Sequence, residues 1–293
     1  MIALNAKRAH RNETIAVAVL RTASAGVIVA IVLLLVYLSW EGTRTFFVDH
    51  VPLSEFLFNT HYAPDTKHPG AASFIFGSLA ATGFAIVVGG PFGIAVGVFL
   101  SELAPKRVAE ILKPTIEVMV GIPSVVYGWL GLTLLVPFLR TSTGASGFGL
   151  FAAGIVLSIM ILPTVISLSE DALLAVPVPL REGSLAMGAT RWQTITRVLI
   201  PAASSGIAVA LILGIARAIG ETLAVQLVLG NSAVIPHGVF DPASSLTTEI
   251  VMDMAGATQG SPLEHALFSM ALLLLLIAMV LISLVRVAVR KRA

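Results

Sequence analysis

The chain has 293 residues, 57% of them apolar and 12% charged, with no cysteine and a formal net charge of +2. Soluble domains carry about 25% charged residues, so a soluble two-domain protein is excluded, as is disorder, whose mark is low hydrophobicity. The missing cysteines exclude disulfides, CxxC redox pairs and thiolate metal sites, and a net charge of +2 is too small to argue for nucleic acid.

The charges are swept out of six stretches long enough to cross a bilayer, which takes about 20 apolar residues. Thr22–Trp40 is the first. Basic residues precede it as in a signal peptide, but the run is too long for one and no small-x-small site follows, so a retained helix is expected. His68–Ser101, with its apolar core from Phe74 to Leu100, is the second. Gly89, Gly93 and Gly97 repeat within it at i,i+4, a small-residue face for close packing inside the chain. Val118–Leu139 and Thr141–Ser169 follow, the latter entered through the Gly-rich turn Thr143–Gly149. Kinks are expected at Pro123 and Pro163, and aromatic packing rather than pathway lining at Tyr127 and Trp129. Val198–Phe240 is apolar except for Arg217 and Glu221, and His265–Val285 closes the set.

Basic residues orient the spans. With the N-terminus cytoplasmic, 14 of the 18 Lys and Arg fall inside: Lys7, Arg8, Arg11, Arg21, Lys106, Arg107, Lys113, Arg181, Arg191, Arg197, Arg286, Arg290, Lys291 and Arg292. Only Arg44, Lys67 and Arg140 fall outside. Both termini are therefore expected inside. The outer segment Asn231–Glu264 holds Asp241, Glu249, Asp253 and Glu264 without Lys or Arg. Five of the six His lie outside, at positions 50, 61, 68, 237 and 265, with no zinc-ligand spacing, so scattered solvated or capping roles are expected and no metal site. The charged stretch Glu102–Glu117 reads as a solvated amphipathic helix. No inverted repeat of the secondary-transporter kind is visible.

The longest cytoplasmic connection, Ser169–Arg197, is patterned. Pro177 and Pro179 end the fourth span, Leu180–Met187 reads as a short helix with Pro in its first turn, and Gly188 supplies a turn. Thr190 and Gln193 form a capping box, and Pro201 marks entry into the fifth span. An interfacial amphipathic hairpin would satisfy all this. The spacing adds more: Glu182-Gly183-Ser184, three residues, Gly188, nine residues, then Val198-Leu199-Ile200-Pro201. This resembles the Glu-Ala-Ala-x3-Gly-x9-Ile-x-Leu-Pro loop of type I ABC importer permeases, with both Ala replaced by small residues. The resemblance implies that Glu182, Gly183, Ser184, Gly188 and Pro201 belong to a coupling helix docking into an ATPase groove. No G-x-x-x-x-G-K-[ST] occurs, so ATP would be bound by a separate chain.

Arg217 and Glu221 lie one turn apart in the fifth span, Arg217 roughly 24 Å along a helix from Pro201. An Arg at the bilayer centre costs about 2.5–3.5 kcal/mol on insertion scales and demands a partner or an aqueous cavity. A self-satisfied i,i+4 ion pair is one solution. A substrate-facing site is the other, because the guanidinium fork suits a tetrahedral oxyanion, with Glu221 holding the guanidinium between turnovers or meeting a protonated anion.

The segment Ala216-Arg217-Ala218-Ile219-Gly220-Glu221-Thr222 resembles the Arg-Ala-x-Gly-Glu-Thr segment of phosphate-specific ABC permeases. Phe99–Pro105 and Gly121–Gly128 resemble their PstC branch more than the PstA branch, and the likeness runs from about Phe74 to Val285. It implies an all-α integral membrane protein of six transmembrane helices with the type I ABC importer permease fold, multi-pass in the bacterial inner membrane. Residues 1–72 would form an N-terminal arm, first span and outer loop, 73–287 the permease core with its coupling loop at 180–201, and 288–293 a basic cytoplasmic tail. The implied function is a permease subunit for inorganic phosphate, no enzyme itself, with Arg217 and Glu221 on the translocation pathway and no catalytic residues. Implied partners are a PstA-like permease, a PstB-like ATPase dimer that uses ATP and Mg, and a PstS-like extracytoplasmic binding protein; this chain would bind no cofactor. A molybdate or sulfate permease and a secondary anion:proton symporter are the alternatives.

Overall fold

The computed structural model describes residues 2–63 and 68–290. Lys67 and the tail residues Lys291, Arg292 and Ala293 lie outside the described residues. Fourteen α-helices, three π-helical turns and one two-stranded ladder are present among those described.

The first helix, α1 (Ile2–Phe47), continues through the expected first span and well beyond it on both sides. From Val17 to Val36 almost every side chain is exposed, as an apolar surface facing lipid would be. Its anchorage is at the far end, where it leans on the last helix: Tyr37 meets Phe268 edge to face at 5.7 Å, and Ser269 donates to the Gly42 carbonyl at 2.6 Å. A short helix, α2 (Leu53–Phe58), and the strands β1 (Tyr62–Ala63) and β2 (His68–Pro69), antiparallel with Tyr62 opposite Pro69, cap this end.

The centre of the molecule is the pair α3 (Ala72–Val98) and α7 (Leu150–Leu174). As expected, the i,i+4 glycines let them approach. A Cβ at Gly93 would stand 2.8 Å from Val165 Cγ1, and one at Gly97 would stand 3.0 Å from the Ile166 carbonyl. Helix α3 runs into a π-helical turn, Phe99–Leu103. Then α4 (Lys106–Val120) carries the mixed charges expected of an amphipathic element, and its Lys113 pairs with Glu170 of α7.

The third span differs from expectation. Residues 118–120 finish α4, and the membrane helix begins after Pro123, running as α5 (Ser124–Leu130), a π-helical turn (Gly131–Leu135) and α6 (Val136–Thr143). Pro123 therefore starts a helix instead of kinking one, because a missing N–H costs nothing there. Tyr127 packs in the core and donates to the Met119 carbonyl at 2.9 Å, whereas Trp129 is exposed.

The fifth span shows the larger departure. The short helices α8 (Val178–Ala186) and α9 (Arg191–Thr194), a π-helical turn (Ile195–Leu199) and α10 (Ile200–Ala202) lead into α11 (Ser204–Ile219). Between Arg191–Ala202 and Ser204–Ile219 the axis bends by 69°. Helix α11 ends at Gly220, and only the six-residue α12 (Leu223–Val228) follows. The uncharged run to Phe240 is thus not one helix: Gly220 weakens it and the chain then turns. Irregular backbone at membrane depth is tolerated only against protein or a cavity, and here it is packed beneath α13 (Leu246–Met254). The final helix, α14 (Pro262–Arg290), returns along α1 and α11. Among the described residues, five continuous helical stretches are long and apolar enough to span a membrane, and six when the bent pair counts as one.

The acidic segment 231–264 has a buried stretch at its centre. Ser244, Ser245, Thr247, Thr248 and Glu249 are all buried. His265 departs from a solvated role: it is 2% exposed, with Nδ1 2.8 Å from Asp49 Oδ2.

Candidate functional site

Arg217 sits in the last turn of α11, where the negative end of the helix dipole favours a cation. Glu221 stands past the end of that helix, in the break before α12. Its Oε1 accepts from the Ala224 N–H at 3.3 Å, so the carboxylate meets a first-turn donor at the positive end of α12. The break has thus supplied each charge with its own helix terminus. The two residues form no ion pair with each other among the described residues, and the self-satisfied i,i+4 pair is overturned because they do not share a helix. Arg217 Nη1 instead donates to Thr164 Oγ1 of α7 at 3.2 Å, and the half-buried guanidinium is left with its remaining donors unspent.

Around Glu221 lies a set of hydroxyls that the sequence reading did not single out. Ser78 and Thr82 of α3, with Ser245 and Thr247 of the segment entering α13, line a narrow crevice with Glu221, Ala218 and Ile219. Its open space is about 10 Å³, room for about one water. Thr247 Oγ1 donates to the Glu221 carbonyl at 2.9 Å, which satisfies an acceptor freed by the helix break. Ser78 Oγ accepts from the Leu246 N–H at 2.9 Å. Ser245 and Thr248 form a capping box for α13. The sequence signal was the run Ser244-Ser245-Leu246-Thr247-Thr248-Glu249, whose Ser-x-x-Thr spacing can form a box although its third-position residue is neither Glu nor Gln. Burial, and then the nearby Asp253, push the Glu249 carboxyl up to about 7, against the opposing hydrogen bond from Ser244. Asp253 in turn accepts from the Tyr62 hydroxyl at 2.9 Å. Among the described residues no three His, Asp or Glu side chains group as metal ligands would.

At the other end of the bundle, the patterned loop is built closely as its sequence suggests. Helix α8 starts with Pro179 in its first turn and stops before Gly188, whose φ of +83° is the left-handed conformation that glycine adopts at little cost. Thr190 accepts from the Gln193 N–H at 3.2 Å and Gln193 Oε1 accepts from the Thr190 N–H at 2.9 Å, so the capping box is formed. Ser184 and Thr194 join the two arms through their hydroxyls at 2.9 Å. Nothing in α8 is buried. Glu182 and Gly183 are exposed, a Cβ at Gly183 or Gly188 would meet no atom within 4 Å, and Leu180, Leu185, Met187 and Trp192 present apolar surface beside them. Pro201 lies in α10, one residue before the sharp bend.

Comparison with known proteins agrees with this architecture. Residues 89–293 match the family described as "Binding-protein-dependent transport system inner membrane component". A probable ABC transporter permease protein, YqgH of Bacillus subtilis, is 47% identical over 88% of this chain and 85% of its own length. The phosphate transport system permease protein PstC of Haemophilus influenzae is 32% identical over 89% of this chain and 87% of its own. Among solved structures, a chain of a bacterial alginate ABC transporter superposes with a TM-score of 0.62 at 16% identity, covering 93% of this chain and 94% of that one. A chain of the MetNI methionine ABC transporter superposes with a TM-score of 0.59 at 23% identity, covering 75% and 94%. At such identities these two show the fold alone, that of type I importer permeases. Membership also removes the secondary symporter, since these permeases work with separate ATPase and substrate-binding subunits. The chain belongs to the binding-protein-dependent transport system inner membrane components, as a multi-pass, non-enzymatic permease subunit of an ABC importer.

Proposed function

We propose that the chain is the permease subunit of an importer of inorganic phosphate, with Arg217 as the fixed positive charge on the pathway. The observation that carries this reading is a half-buried guanidinium in the last turn of α11 that forms no ion pair with Glu221 and, among the described residues, donates to one neutral hydroxyl, Thr164. Such a group keeps donors to spare, which an arriving oxyanion can take up. The phosphate systems named for relatives such as that of Haemophilus influenzae support the choice of anion. Glu221, on the far side of the helix break, bars entry to fully ionised anions and accepts a hydrogen bond from a protonated one.

The end bearing α4, α8, the start of α1 and the end of α14 faces the cytoplasm, by the excess of Lys and Arg there. There Glu182, Gly183, Ser184, Gly188 and Pro201 form the loop that couples to a PstB-like ATPase dimer, which holds the ATP and Mg. A PstA-like permease completes the pathway, and a PstS-like binding protein delivers the anion to the end bearing α2 and α13. ATP-driven closure of the ATPase dimer moves the paired loops together and exposes the anion site alternately to the two sides.

The test is uptake of labelled phosphate into vesicles holding the four-component complex. Uptake should require both ATP and the binding protein and should resist competition by excess sulfate or molybdate. Selective competition by either would transfer the reading to that oxyanion.

A further inference from the structure

Helix α8 is attached to the rest of the chain in an unusual way. None of its residues is buried, and the hydroxyl contact from Ser184 reaches only Thr194 within the same loop. The following arm is anchored differently, by Ile195 and Leu199 packed against Val98 of α3 and Leu173 of α7. Among the described residues, one ion pair joins α8 to a membrane helix: the Arg181 guanidinium donates through Nη2 to Glu102 Oε1. The Glu102 side chain is 9% exposed and that of Arg181 33%, so the contact is substantially shielded from solvent. Glu102 belongs to the π-helical turn that ends α3, a local widening of the helix of the kind frequent at functional sites. A cleft of about 250 Å³ beside the pair, lined also by Ser101, Leu185 and Arg191, and a buried Arg181 Nε without a partner give the guanidinium room and a spare donor.

We propose that the Arg181–Glu102 ion pair is the strut through which movement of α8 is passed to α3. This rests on reading Glu182–Pro201 as the ATPase-coupling loop. A pull on α8 displaces Arg181, and Glu102 draws on the end of α3. Because α3 packs on α7 without slack at Gly93 and Gly97, the displacement continues into α7. Thr164 of α7 holds Arg217, so the strut and the anion site lie at two ends of one packed unit.

The experiment compares phosphate imported per ATP hydrolysed by the complete complex in vesicles, for Glu102→Gln, Arg181→Gln and the exchanged pair Glu102→Arg with Arg181→Glu. Each single change should lower the ratio about fivefold, the scale of a directly contacting pair, while the subunits remain associated and ATP is still hydrolysed. The exchanged pair should restore it. An unchanged ratio in both single variants overturns the strut, as does an assembled exchanged pair whose ratio stays low. If the single variants do not assemble, the exchanged pair alone decides by the same criterion. Absence of phosphate uptake by the wild-type complex counts against the phosphate reading instead. The strut is then tested by stimulation of ATP hydrolysis by the binding protein, which the single variants should lose and the exchanged pair regain; any other pattern overturns it.

Discussion

At the scale of single residues, the account turns on how few charges the spans contain and where each finds its partner. Among the described residues, Thr164 is the one side chain that hydrogen-bonds Arg217, at 3.2 Å. Thr164→Val should leave the complex assembled but raise the KM for phosphate uptake about tenfold or more, since a hydrogen bond to a charged group is worth about 1.5–3 kcal/mol and about 1.4 kcal/mol is tenfold. An unchanged KM would mean that Arg217 orients itself. Glu249 makes a separate prediction. Its carboxyl titrates near 7 when folded, above its ordinary 4.5, so the folded state holds the proton more tightly than the unfolded one. The stabilisation is complete below about pH 4.5 and is lost as pH rises through about 7, amounting to about 3 kcal/mol at most. The melting temperature of the detergent-solubilised protein should therefore fall between pH 5 and 8, and Glu249→Gln should flatten that fall. A slope that persists in the variant would assign it to another group.

At the scale of elements, close packing and open surface predict opposite responses to added bulk. Gly93→Ala places a methyl 2.8 Å from Val165 Cγ1, so α3 and α7 must separate, at about 1–3 kcal/mol. Gly83→Ala on the same helix meets nothing within 4 Å and should cost nothing or stabilise. Thermal denaturation of the two variants side by side checks this. Gly183 of α8 likewise faces open space, so Gly183→Leu should leave the chain as stable as wild type. If the loop docks in an ATPase groove, however, the variant should no longer co-purify with the ATPase. Normal co-purification and normal transport would reduce the loop to a hairpin on the membrane surface. The contrast also explains what was legible in advance. Periodicity and spacing report contacts local in the chain, which is why the glycine face of α3, the Thr190–Gln193 box and the turn at Gly188 stand as expected. The break after Ile219 was hidden, because the apolar stretch 202–235 holds no Pro and reads as helix whether or not buried hydroxyls wait to satisfy its freed carbonyls.

At the scale of the whole molecule, the charge pattern indicated a membrane protein and the family comparison shows an importer permease, while the proposed cargo rests on Arg217 and on the phosphate-transport relatives. The sequence pointed to Arg217 and Glu221 by elimination, as the two charges left deep in a span. What it could not show was that they occupy two different helix ends, or that Ser78, Thr82, Ser245 and Thr247 from distant segments gather beside Glu221. Such convergence is set by tertiary packing between α3, the α11–α12 break and the entry to α13, and leaves no spacing signature in any one segment. The most direct measurement is phosphate uptake by the reconstituted complex carrying Arg217→Gln, with subunit association and ATP hydrolysis measured on the same preparation. The account predicts an assembled, ATP-hydrolysing complex that imports no phosphate; phosphate import at the wild-type rate would contradict it.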